Sequence, residues 1–184
     1  MAVIGTVGLP GSGKGEFASV ASDLDIPVVT MGDVIRTECR RRGLDPADHH
    51  GEVAQALRDE DGPLAIAERS IPIIRDALEH SDTVVVDGLR SAAELQHFRS
   101  ALGDEFELIA IEAPLEDRAH RIDSRGRDNN AQETLRQRDE RELGFGLGEA
   151  IEQADRTIEN DGSLTQFHDQ VEEMLDTEPK KNVN

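Results

Sequence analysis

Short apolar runs separated by amphipathic stretches set the rhythm of this chain. Strand-like runs, most of them rich in β-branched residues, recur at Ala2–Val7, 26–30, Thr83–Asp87, 106–111 and Arg156–Glu159. Runs this short are strands rather than helices. Their continuous apolar character, without alternation, suits strands buried on both faces of a parallel sheet. Between them the apolar positions fall at helical spacing, as in 14–21, 51–60 and 64–80, where Pro72 is expected to bend or divide the helix. The alternation predicts a three-layer α/β sandwich around a five-stranded, mostly parallel sheet. In such sheets ligands collect beyond the carboxyl ends of the strands, where residues 8–15 and 87–90 both fall.

Two connections are longer than a crossover requires. Residues 32–81 hold several helical segments, and 123–155 is polar and arginine-rich, with a glycine-rich piece at Gly144-Phe145-Gly146-Leu147-Gly148. Insertions of this size in a compact domain are expected to be lids or substrate covers. At 184 residues the chain is expected to form one well-buried domain over 1–176, with 177–184 a disordered tail. No run reaches membrane-spanning length and no signal peptide precedes the first strand, so the expected location is cytoplasmic. Cys39 has no second cysteine to pair with.

Charge narrows the field of partners. A formal net charge of -19 argues against nucleic-acid binding, which usually needs a basic surface. The acidic residues are spread through the sequence, and Lys14 is the only lysine before Lys180 and Lys181. Together these suggest adaptation to a salt-rich cytoplasm, where screening relieves repulsion among carboxylates. The alternative is an ordinary acidic protein.

A chain that makes its other cations almost wholly from arginine keeps Lys14 inside Gly8-Leu9-Pro10-Gly11-Ser12-Gly13-Lys14-Gly15. The position therefore calls for a compact ammonium on a flexible stem rather than a planar fork. Such a loop wraps backbone N–H groups around an anion while the lysine reaches the β/γ-phosphates, and a strand before it and a helix after it complete the signature. The expected ligand is ATP. Gly15 stands where a Ser or Thr hydroxyl would ligate Mg²⁺, so the metal would be held by nucleotide oxygens, water and a more distant carboxylate. Asp87, ending the run Thr83-Val84-Val85-Val86, is the candidate for that indirect, water-mediated role. Its alternative is a turn or capping aspartate before Gly88.

With these residues in hand, the chain resembles the nucleoside monophosphate kinase group, specifically adenylate kinase. The loop 8–15 matches that family's loop, including the glycine after the lysine. Thr30-Met31-Gly32-Asp33-Val34-Ile35-Arg36 resembles the family's Thr-Gly-Asp segment, whose arginine grips the acceptor phosphate. Asp87-Gly88-Leu89-Arg90 resembles its Asp-Gly-Phe-Pro-Arg turn, one residue shorter and without the proline, and Glu16 stands where threonine is usual. Arg118, Arg121, Arg125 and Arg127, followed by Arg138 and Arg141, resemble its lid and post-lid helix. The segment from Ala154 through Leu164 resembles the last strand and final helix of dephospho-coenzyme A kinase. Taken whole, the chain is most similar to an archaeal family of adenylate-kinase-like P-loop proteins.

The resemblance implies a P-loop NTPase fold with an acceptor-binding insertion at about 32–81 and a lid at about 123–155. It implies that Asp33, Arg36 and Arg90 hold a small-molecule phosphoryl acceptor, and that Arg125, Arg127, Arg138 and Arg141 converge on the donor phosphates. Phosphoryl transfer needs mainly positioning and charge neutralisation, which bidentate guanidiniums supply. Each arginine could instead be a solvated salt-bridge partner. His49 and His50 suit no zinc spacing and read as a polar loop, Asp45-Pro46 and Asp48 as turn chemistry. Asn160-Asp161-Gly162 reads equally as part of a base pocket or as a turn. The main expectation is a kinase acting on a nucleotide or coenzyme precursor. The rival is a nucleotide-dependent regulator or slow ATPase acting on a protein partner.

Overall fold

A computed structural model describes residues 1–125 and 134–176, apart from the side chains of residues 124 and 125. The strands are β1 (Ala2–Val7), β2 (Val28–Thr30), β3 (Thr83–Asp87), β4 (Phe106–Glu112) and β5 (Arg156–Glu159). They form one sheet in the order β2-β3-β1-β4-β5, and every pairing is parallel. The expectation of a mostly parallel sheet is met, with no antiparallel member among the described residues.

Helices α1 (Lys14–Asp23) and α9 (Leu164–Asp176) cover one face. Their Phe17, Val20, Phe167 and Val171 pack with Ile4, Val85, Ile109 and Ile158 of the sheet. The other face carries α2 (Met31–Arg41), α3 (Pro46–Asp61), α4 (Ala65–Leu78), α5 (Ala92–Leu102) and α8 (Leu147–Glu152) over Val3, Val7, Val84, Val86 and Leu108. Successive strand residues thus feed opposite cores, which is why the runs are apolar throughout. Phe98 and Phe106 stack with ring centres 5.6 Å apart. No helix among the described residues is long and apolar enough to cross a membrane.

Local chemistry starts the helices. Asp45 caps α3, its carboxylate accepting the Ala47 N–H at 2.9 Å, with Pro46 at the first turn. That corrects the reading of Asp45-Pro46 and Asp48 as a turn, and of His49 and His50 as loop residues: all lie at the start of, or within, α3. Ser91 caps α5 by accepting the Glu94 N–H, while the Glu94 carboxylate reaches back to the Arg90 N–H at 2.8 Å. Pro72 sits inside α4 without dividing it. Between them, α6 (Leu115–Arg125) and α7 (Leu135–Gly144) flank residues 126–133, which lie outside the described part together with 177–184. Leu147 and Ala150 of α8, from the stretch expected to form a lid, are buried in the core.

Candidate active site

The chain leaves β1 at Val7 and enters the glycine loop at once, and α1 begins at Lys14. Gly11 and Gly13 have φ of 80° and 123°, a region that strains any side chain. A Cβ on Gly11 would lie 2.9 Å from the Arg118 carbonyl oxygen, and one on Gly13 would collide with Asn160 Nδ2. Gly15 faces open space, so its lack of a hydroxyl is not forced by packing. Gly13 offers no side-chain cap, and the first-turn N–H groups of α1 and its positive end face the loop. Such an arrangement can cradle an anion.

Lys14 curls over that cradle, its ammonium donating to the Gly8 carbonyl at 2.5 Å and reaching the Leu9 carbonyl at 3.4 Å. Burial pushes its pKa down, and Asp87 opposes part of that shift. Register sets Thr6, Asp87 and Thr30 abreast at the carboxyl ends of β1, β3 and β2. Thr6 Oγ1 donates to Asp87 Oδ1 at 3.1 Å, which fixes the carboxylate.

A cavity of ≈ 300 Å³ opens beside the loop. Gly8, Pro10 and Lys14 form one side, and the turn from Asp87 to Arg90 another. α2 contributes Arg36, α3 contributes His50 and Arg58, α5 contributes Glu94, and α7 contributes Arg138 and Glu142. The sequence-derived Lys14, Asp87, Arg36, Arg90 and Arg138 therefore come together. Arg36 donates through Nε to the exposed Asp33 at 2.7 Å. The Arg90 guanidinium lies 3.3 and 3.5 Å from the two Glu142 oxygens. Arg141 lies 3.8 Å from Glu142. The side chain of Arg125, and Arg127 altogether, lie outside the described residues.

Several residues of the cavity escaped sequence reasoning. Arg58 and His50 stand eight positions apart, two turns of one helix, a spacing that becomes informative once Asp45-Pro46 is read as a helix start. Burial, then Arg36 and Arg90, hold the His50 imidazole below its usual pKa, favouring its neutral form. Glu94 is buried, and that burial raises its pKa. Arg118 and Arg121 lie behind the loop. Arg118 donates to the Pro10 carbonyl at 3.1 Å and Arg121 to the Gly11 and Ser12 carbonyls at 3.4 Å each. Asn160 Nδ2 donates to the Ser12 carbonyl at 2.8 Å, and a second cavity of ≈ 260 Å³ follows β5, lined by Asn160, Asp161, Gly162 and Phe167.

The model of the AAA_17 family, described as an AAA domain, matches residues 7–136. A UPF0200 protein of Halobacterium salinarum is 57% identical over 176 residues, covering 95% of this chain and 93% of that protein. One from Methanosarcina barkeri is 51% identical over 178 residues, covering 95% of each. Among solved structures, a shikimate kinase from Acinetobacter baumannii in complex with shikimate superposes with a TM-score of 0.57 at 17% identity, over 98% of this chain and 96% of that one. A gluconokinase from Sinorhizobium meliloti gives a TM-score of 0.56 at 14% identity, over 92% and 89%. At these identities the structural likeness speaks to fold, which is that of P-loop kinases.

Proposed function

The chain belongs to the archaeal UPF0200 family, and on that footing we propose that it binds ATP and transfers the γ-phosphoryl group to a phosphate-bearing small molecule, a nucleotide or a coenzyme precursor. One observation carries the reading: a single cavity has a phosphate loop with Lys14 at one side and Arg36, Arg58 and Arg90 on other elements around it. A donor site alone would not call for the second set of cations. The strained glycines and the cradle that a Cβ would fill fit a polyphosphate at residues 8–15.

In this reading the loop amides and Lys14 hold the β- and γ-phosphates. Arg36, steadied by Asp33, and Arg90 orient the acceptor phosphate, so that the attacking oxygen lines up with the donor. Arg138 and Arg141, with Arg125 and Arg127 from the adjoining stretch, neutralise charge on the transferring group. Among the described residues no group of three or more His, Cys, Asp or Glu could hold a metal unaided, which suits Mg²⁺ entering with the nucleotide and touching Asp87 through water. Bound there, Mg²⁺ would neutralise phosphate charge.

The test is ATP affinity measured beside acceptor-stimulated turnover in high salt, for the native chain, Arg36→Ala and Arg90→Ala, across a panel of phosphorylated acceptors. Each variant should keep ATP affinity within about threefold and lose transfer by about a hundredfold, because the lost contacts orient the acceptor and not the donor. If no acceptor raises turnover above the water background, the nucleotide-dependent regulator or slow ATPase takes the kinase's place.

A further inference from the structure

One buried guanidinium ties the back of the phosphate loop to a distant helix. Arg118, 5% exposed, lies away from the main cavity, against a separate pocket lined by Leu9, Ser12 and Ile111. Its Nε donates to the Ala113 carbonyl at 3.2 Å and one terminal nitrogen to the Pro10 carbonyl at 3.1 Å. The same fork closes on the Asp139 carboxylate with bonds of 2.9 and 2.8 Å. Asp139 belongs to α7, between Arg138 and Glu142, both of which line the cavity. A trans peptide points its C=O and N–H in opposite directions. A donor that holds the Pro10 carbonyl at the back therefore turns the Gly11 N–H away from itself, and the backbone on which the anion rests becomes mechanically continuous with α7.

We propose that Arg118 is a positioning residue that fastens α7 to the phosphate loop, so that nucleotide binding at the loop is transmitted to the helix carrying Arg138 and Glu142. The proposal rests on the reading of the loop as an ATP site. Only a planar fork with several fixed donors can serve two carbonyls and a bidentate carboxylate together; a lysine ammonium lacks that geometry.

Removing both partners at once, as Arg118→Met with Asp139→Leu, leaves no unpaired buried charge, a change that buried ion pairs commonly tolerate. The readouts are thermal melting, ATP binding by calorimetry, amide hydrogen exchange of Leu135–Gly144 with and without ATP, and turnover at saturating ATP. The double variant should melt close to the native chain and, having lost the donor on the Pro10 carbonyl, bind ATP up to about tenfold more weakly, so exchange is compared at saturating ATP. ATP should slow exchange in α7 by about fivefold or more in the native protein and by less than about twofold in the variant. Turnover should fall by about tenfold. A purely structural role would leave the ATP-dependent protection of α7 intact in any variant that folds. Equal protection in both proteins, or protection in neither, overturns the fastening while leaving ATP binding standing. Failure of the native chain to bind ATP overturns both. Should the double variant not fold, Arg118→Lys, which keeps the charge and loses the fork, is measured in its place with the same expectations.

Discussion

Burial works against the Lys14 ammonium, so its charge is held at the loop at some expense of stability. Lys14→Ala should therefore melt no lower than the native chain while binding ATP at least about tenfold more weakly, since a charge-assisted contact to phosphate is lost. Calorimetric titration alongside thermal melts checks both halves. Lys14→Arg should also bind poorly, because a planar fork does not fit the space between the Gly8 and Leu9 carbonyls that an ammonium occupies. Lys14 was legible in the sequence because its strand, glycines and helix are contiguous, and each reinforces the others. Arg118 and Arg121 were not. Grouped by resemblance with the arginines of a lid, they brace the loop from behind, and the side of α6 that meets the loop is decided by tertiary packing rather than by spacing. Asn160 was open between base pocket and turn; its bond to the Ser12 carbonyl gives it a bracing role as well.

At the scale of elements, the helices of the insertion after β2 are joined by Glu38, whose buried carboxylate pairs with Arg41 and Arg42 of its own helix region and with Arg69 of α4. Arg42 also reaches Glu60 of α3 at 2.6 Å. Hydrogen bonds from Arg41, then Arg42, lower the Glu38 carboxyl from 4.5 to about 2. Between those values the unfolded chain takes up a proton that the folded chain refuses. The stabilisation is accordingly complete above pH 4.5 and lost as pH falls through about 2. Glu38→Gln should lower the melting temperature by about 5 °C at pH 7, and the gap should close as pH drops from 4.5 toward 2. Paired melts across that range are the measurement. The sequence showed where α4 lies, and of the two outcomes expected of Pro72, division does not occur: one helix with buried Ile66, Ile71 and Ile74 runs through the proline from Ala65 to Leu78. The start of α3 was misplaced: Asp45-Pro46 is chemically ambiguous between a turn and a capped helix, and the buried Val53, Ala54 and Leu57 decide the matter.

For the whole molecule, the excess of carboxylates at a net charge of -19 acts against compaction. The screening length shrinks from about 10 Å at 0.1 M salt to about 3 Å at 1 M. The melting temperature should therefore rise by more than about 5 °C over that interval; a flat or falling series would remove the proposal of adaptation to salt. The sheet itself was readable because each strand is a compact apolar run, whereas its order, 2-3-1-4-5, is a property of pairings between distant segments. That order bears on how the protein is born. Thr6 meets a partner 81 positions later, at Asp87, and the Ser12 carbonyl meets one 148 positions later, at Asn160. At ribosomal speeds of about 5–20 residues per second, the second partner follows the first residue by roughly 7–30 seconds. Early in that interval the apolar β1 has neither of its sheet neighbours, β3 and β4, to pair with. Residues 8–15 therefore leave the ribosome well before Asn160, and until it arrives the loop lacks the side-chain donor that holds the Ser12 carbonyl.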